Sequence, residues 1–354
     1  MSVLADTFSV GVVGAGYFGR FHIDAWRRVA GARITAVCDR DAARVQKEML
    51  ETQGEKISRC YASLCEMLEH GVPDVLDITT PPQTHLAVIT EAAGRVPHIV
   101  CQKPFCGGLE GARRALAICE AAGTKIAVHE NVRFQPWYRV MRRLIDDGAI
   151  GEPYQIAFRL RPGDGQGADA YLDRQPYFRE MPRFLIHETA IHWIDTFRYL
   201  FGEIDGLSAH LIRRNPAIAG EDGGAIFFRF ASGATGLFDG NRLADHAAAN
   251  TRLTLGEMVI EGADGSLQLN GDGSVRHRAF GAETPSQVSF DWRDHHFGGD
   301  CVYLCTQAIV DAWQNETAPE TDAAAYLRNM EVADAVYASA ETGRTIDLQR
   351  ARRS

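Results

Sequence analysis

The chain has 354 residues, 45% hydrophobic and 23% charged, which suffices for about two domains with cores of their own and fits no disordered class. A formal net charge of −9 and a pI near 5.7 leave no basic footprint, so neither nucleic acid nor an anionic membrane surface is an expected partner. Residues 1–9 are short and mixed, and no apolar run approaches the ~18 residues that cross a bilayer, so neither a signal peptide nor a membrane span is expected.

The first strand is predicted over 9–14 and leads into Gly14-Ala15-Gly16-Tyr17-Phe18-Gly19, a glycine-rich turn that opens a helix. Gly14 permits the tight turn, Gly16 lets the backbone approach a pyrophosphate, and Gly19 lets helix and strand pack closely. The N–H groups near Tyr17 and Phe18 then face the phosphates. Asp39 ends the second predicted strand, twenty residues beyond Gly19, where a carboxylate accepts hydrogen bonds from an adenosine ribose. The expected cofactor is NAD, because Asp39 repels a 2′-phosphate, although the adjacent Arg40 leaves NADP open.

Further strands near 34–39, 75–80, 98–102 and 125–129 alternate with helical patterns at 41–50, 83–94 and 109–122. That alternation predicts a doubly wound parallel sheet over residues 1–129, with its ligand crevice at the carboxyl ends of the strands. Three loops reach that end. Thr80, Pro81 and His85 lie in the first, either as cofactor contacts or as an ordinary helix entry. Gln102 and Lys103 form the second, where an ammonium at a buried strand end faces a ligand or caps the strand at the surface. The third carries Asn131 and Arg133, which line a cleft or make a hinge cluster.

Residues 130–354 read differently. Strand-like runs at 156–161, 207–213, 225–230, 234–238, 252–260 and 266–269, separated by turn residues, predict an antiparallel sheet. Helices are predicted at 184–200, 299–314 and 321–342, and a long loop at 162–180. Arg161 at its start and Gln166 within it are candidate contacts for a polyhydroxylated ligand, or else belong to an oligomer contact. In the first helix, α-helical winding puts His187 and His192 about 140° apart, so they do not form a zinc-binding face, and no metal is expected. Glu188 and His192 share a face on the same winding, which suits a carboxylate-tuned general base, while a structural helix histidine is the commoner reading of such a residue. The eight cysteines contain no C-x-x-C pair, which fits reduced, mostly buried thiols in a cytoplasmic protein.

Taken in order, the turn with Asp39, Thr80-Pro81-Pro82 to His85, Gln102-Lys103-Pro104, Asn131 to Pro136, and Glu188-x-x-x-His192 with Ile194-Asp195 resemble the glucose-fructose oxidoreductase / inositol dehydrogenase / MocA family along essentially the whole chain. The resemblance implies an N-terminal Rossmann domain (α/β) and a C-terminal α+β domain with an open, mostly antiparallel sheet flanked by helices. It also implies a homodimer or homotetramer through that sheet, and nicotinamide-dependent oxidation of a sugar or cyclic polyol. Lys103 then resembles the lysine that polarises the reacting hydroxyl, His192 the general base, and Glu188 the acid that orients it or grips a substrate hydroxyl. Two positions depart from the family pattern: Gln102 stands where it has glutamate, and Glu188 where it usually has aspartate. Together with Met181-Pro182-Arg183-Phe184, the Gln-Lys-Pro variant resembles a bacterial branch that handles aldoses, with D-apiose the named expectation. A redox-neutral sugar-processing cycle on retained NAD, and a non-catalytic NAD(P)-binding sensor, are the alternatives.

Overall fold

The computed structural model describes residues 7–53 and 59–349. By contact the chain divides into two units: one takes the chain up to Asn131 with Val302–Arg328, the other Val132–Cys301 with the chain from Asn329.

In the first unit β1 (Phe8–Val13), β2 (Ala32–Cys38), β3 (Cys60–Tyr61), β4 (Val75–Ile78), β5 (His98–Gln102) and β6 (Lys125–His129) form a parallel sheet in the order β3-β2-β1-β4-β5-β6. Its central strands read as continuous apolar runs because helices cover both faces. Val10, Val12, Val75, Leu76, Ile99 and Val100 are fully buried. The crossovers are α1 (Gly19–Arg28), α2 (Ala42–Gln53), α3 (Leu64–His70), α4 (Pro82–Ala92) and α5 (Leu109–Ala122). β3 and α3 went unseen in the sequence, the strand because two residues leave no period. For α3 a signal existed: the Ser63 hydroxyl accepts the N–H of Glu66, a Ser-x-x-Glu start.

The second unit begins with α6 (Pro136–Asp146), also missed from sequence, and contains a sheet of β7 (Pro153–Leu160), β8 (Ile204–Ile212), β9 (Gly223–Phe230), β10 (Thr235–Asn241), β11 (Gly256–Gly262), β12 (Gly265–Leu269), β13 (Val275–Ala279), β14 (Ser286–Gln287) and β15 (Ile346–Asp347). The order is β14-β13-β12-β11-β7-β10-β9-β8-β15, antiparallel except for the parallel pair β7 and β10. Alternation sorts its faces. Leu207, Phe228, Ile156, Ile260 and Leu267 point into the core, where Phe158 stacks on Trp193 with ring centres 4.3 Å apart. Phe227, Leu237, Ala157 and Val259 lie side by side in register on the other face, with Phe227 60% and Val259 40% exposed. The later helices are α7 (Ile191–Phe201), which precedes β8, and α8 (Cys301–Gln314) and α9 (Ala323–Thr342), which lie between β14 and β15.

The sequence places everything after residue 129 in the second domain, whereas Val302–Arg328 packs with the first unit. The Val128 N–H donates to the Thr321 carbonyl at 2.9 Å, so the connection after α8 runs along the edge of β6. Gln307 accepts from the Ala30 N–H, and Trp313 sits 4.6 Å from the His98 ring. An amphipathic helix declares that it has a partner, but its pattern does not say which sheet.

Candidate active site

The glycine turn carries three separate geometric demands. Gly14 adopts φ +97°, and a Cβ there would come within 3.0 Å of the Thr80 backbone nitrogen. At Gly19 a Cβ would meet the Gly14 carbonyl oxygen at 2.5 Å, and at Gly16 it would meet nothing within 4 Å. The last is the open approach a pyrophosphate needs. Tyr17 and Phe18 are half-buried beside it. α1 starts without a side-chain cap and without an acidic residue in its first turn, leaving the positive end of its dipole to an external anion. Thr79, the first residue of the loop after β4, ties that strand to the turn by donating its hydroxyl to the Gly14 carbonyl at 2.6 Å.

The Asp39 carboxylate accepts the Ala15 N–H at 2.8 Å and the Asp41 N–H at 3.0 Å, so it braces the turn. Arg44 approaches it at 3.7 Å, and Arg40, the residue that leaves NADP open, is exposed. Open space, an acid-free helix end and a carboxylate on the next strand fit a dinucleotide with a free ribose 2′-hydroxyl.

His85 corrects an expectation. Instead of facing a cofactor it is fully buried, its Nε2–H donating to the Thr80 carbonyl at 2.8 Å and its Nδ1 accepting the Cys106 N–H at 3.4 Å. It shapes the Thr80-Pro81 entry from behind. Burial lowers its pKa from the ordinary 6.5 to about 4. The unfolded chain therefore takes up a proton near pH 6.5 that the folded chain refuses until about pH 4. Stability is complete above the first value and falls as pH drops towards the second, by about 3 kcal/mol for this group. Burial lowers His98 and His129 as well, which steepens the same slope. In His85→Gln, urea midpoints measured from pH 7 to 4.5 should fall less steeply than in the parent, and parallel slopes would refute the assignment.

Lys103 is half-buried at the end of β5, joined to Pro104 by a cis peptide. Its N–H donates to the Gln102 side-chain oxygen at 2.6 Å, and the Gln102 amide nitrogen lies 2.8 Å from His22 Nε2. His22 Nδ1 and the Trp26 indole nitrogen each lie 2.7 Å from Asp77 Oδ2. His22 and Asp77 were missed from sequence, yet an aspartate inside the buried run Val75-Leu76-Asp77-Ile78 was a visible signal. Asn131 is buried at the end of the unit.

In the second unit, Leu185–Ala190 is wound as a π-helical turn that passes into α7 at Ile191. The α-helical 100° step therefore does not hold across Glu188, and the angles expected among His187, Glu188 and His192 are revised. The turn is anchored by Glu221, whose carboxylate accepts the Phe184 and Ile186 N–H groups and the Tyr337 hydroxyl. Glu188 and His192 are buried, 5% and 7% exposed. Thr189 next to Glu188 accepts a hydrogen bond from Arg242, a buried cation the sequence reading overlooked.

Three candidates for substrate contact are occupied otherwise. Arg133 forms a two-pronged ion pair with Asp195, which Asn329 joins at 2.6 Å. Arg161 bonds the Leu160 and Asp239 carbonyls and pairs with the Asp239 carboxylate, and Gln166 donates to the Leu243 carbonyl. All three build the local frame, because a guanidinium or amide committed to protein acceptors has few donors left.

Two family models match the chain. The oxidoreductase family, NAD-binding Rossmann fold, matches residues 8–130, and the GFO/IDH/MocA C-terminal domain matches 138–268. A D-apiose dehydrogenase of Paraburkholderia graminis is 33% identical over 97% of this chain and 90% of its own length. Another from Rhizobium rhizogenes is 31% identical, over 95% and 96%. Among solved structures, an oxidoreductase from Agrobacterium radiobacter in complex with NAD+, L-tartaric acid and magnesium superposes with a TM-score of 0.86 at 30% identity, covering 97% of this chain and 99% of that one. With a nucleotide turn built for a dinucleotide and both domain models matched in order, this chain belongs to the GFO/IDH/MocA oxidoreductase family.

Proposed function

We propose that this NAD-dependent dehydrogenase of sugars or polyols oxidises an aldose at its anomeric carbon, with D-apiose as the favoured substrate and a lactone as product. The observation that carries this reading is the match, along nearly the whole chain, to two D-apiose dehydrogenases. Oxidation of a hemiacetal hydroxyl removes the carbon-bound hydrogen with its electron pair and the hydroxyl proton, leaving a carbonyl. NAD, when bound, supplies the acceptor for the hydrogen and its electron pair. Lys103 donates to the hydroxyl oxygen and stabilises the negative charge that develops there. His192 takes the hydroxyl proton, the role an imidazole most often fills as a positioned general base, and Glu188 orients the imidazole or grips a substrate hydroxyl. Neither Arg133, Arg161 nor Gln166 is assigned a substrate contact, given their protein partners.

Initial rates of NADH formation over D-apiose, other aldoses, inositols and amino-inositols test this reading. D-apiose should give the highest kcat/KM, with one NADH released per lactone. A faster inositol, or turnover without NADH release, would displace it in favour of a ring-hydroxyl or redox-neutral reaction. For the assembly we assign a homodimer or homotetramer through the open sheet face, since exposed Phe227 and Val259 flank half-buried Leu237 and Ala157 in one apolar stripe. Light scattering should show a multiple of the chain mass that Phe227→Asp reduces, and a monomeric parent would exclude it. Eight free thiols, six of them buried, fit the reducing cytoplasm.

A further inference from the structure

The chain of contacts behind Lys103 has donors fixed at both ends. A tryptophan indole nitrogen and a peptide nitrogen can only donate, so Asp77 Oδ2 accepts from Trp26 and Gln102 Oε1 accepts from Lys103. With its oxygen committed, Gln102 turns its amide nitrogen, also a pure donor, towards His22 Nε2 at 2.8 Å. His22 Nε2 must therefore carry a lone pair, and the imidazole proton sits on Nδ1, 2.7 Å from Asp77 Oδ2. No other assignment of protons satisfies all four contacts. An imidazolium would set two donors against each other at Nε2, and the opposite tautomer would do the same while leaving the His22 contact to Asp77 without a proton.

The ring is held in plane as well as in tautomer. His129 lies against it with ring centres 4.1 Å apart, Phe18 meets it edge-on at 5.6 Å, and His22, Asp77 and His129 are fully buried. Burial also holds His129 well below the usual imidazole range, so the ring packed against His22 is not a cation.

We propose that His22 is a positioning residue for Lys103. Locked as the neutral Nδ1–H tautomer by Asp77, it orients the Gln102 amide, whose oxygen holds the Lys103 peptide and sets the backbone from which the lysine projects. The proposal rests on the role assigned to Lys103 above. It also accounts for glutamine at position 102: a glutamate there would offer His22 only an acceptor, and the relay would need an imidazolium between two carboxylates.

The test combines a spectrum with kinetics. In the 15N-labelled full-length protein near neutral pH, His22 should show the pattern of a neutral imidazole protonated at Nδ1, and Gln102→Glu should convert it to imidazolium. Gln102→Leu, which keeps the volume and removes both polar contacts, should lower kcat about 10- to 100-fold with NADH affinity unchanged. His22→Phe should do the same, and if it fails to fold, Gln102→Leu carries the kinetic arm alone. An Nε2–H or doubly protonated His22 in the parent would overturn the proposal, as would an unchanged kcat in Gln102→Leu alongside an inactive Lys103→Ala. Retained activity in Lys103→Ala would instead overturn the role of the lysine, and the proposal with it, and so distinguishes the two failures.

Discussion

Lys103→Ala should lower kcat/KM by about 10²- to 10³-fold, the usual consequence of removing a donor aimed at developing negative charge. NADH affinity, read by fluorescence titration, should not change, because the glycine turn and Asp39 are built without the lysine side chain. His192→Ala should lose about 10²- to 10⁴-fold in kcat, the range for a missing general base. The two variants should differ in form. A lysine that both binds and polarises the hydroxyl affects KM and kcat together, whereas a base acting on bound substrate affects mainly kcat. Near-parental turnover in either variant would remove that residue from the reaction.

Arg242→Ala should destabilise the second unit by about 3 to 5 kcal/mol, the cost of breaking a buried ion pair by removing one partner. The guanidinium is 4% exposed and spends its nitrogens on the Tyr171 hydroxyl at 2.7 Å, Asp164 at 2.8 Å and Thr189. It also lies 4.7 to 5.6 Å from the ring centres of Phe184, Tyr171 and Phe178. It thereby clips the loop after β7 to the π-helical turn that carries Glu188. Arg242→Lys should recover little, since an ammonium has neither the planar fork for three acceptors nor the flat face for three rings. Equal urea midpoints for parent and Arg242→Lys would show that the network does not need a guanidinium.

How much of this was legible in the sequence depended on the range of the physics involved. The Gly14–Gly19 turn could be read because its demands fall on the backbone of six neighbouring residues, and Asp39 because a strand has a fixed reach. Sheet and helix alternation placed β1, β2, β4, β5 and β6 for the same reason. The winding of Leu185–Ala190 was not legible, because Glu221 and Tyr337, which anchor it, are distant in sequence. Arg133, Arg161 and Gln166 were read as free polar groups because their acceptors on Asp195, Asp239 and Leu243 lie 62 to 78 residues away. Polarity near a functional loop is local information, whereas the satisfaction of that polarity is not.

The return of Val302–Arg328 to the first unit has a consequence for the order in which the protein can be made. A chain emerging from the ribosome presents β6 long before Thr321, whose carbonyl receives the Val128 N–H, and before Trp313, which covers His98. The whole of Val132–Cys301 must be synthesised in between. Domains usually complete themselves in order of synthesis. Here the N-terminal unit waits with an unfinished edge until its inserted neighbour has been translated. A premature stop anywhere between residues 132 and 302 would therefore leave the nucleotide-binding half without that edge, although every residue of its glycine turn would be present.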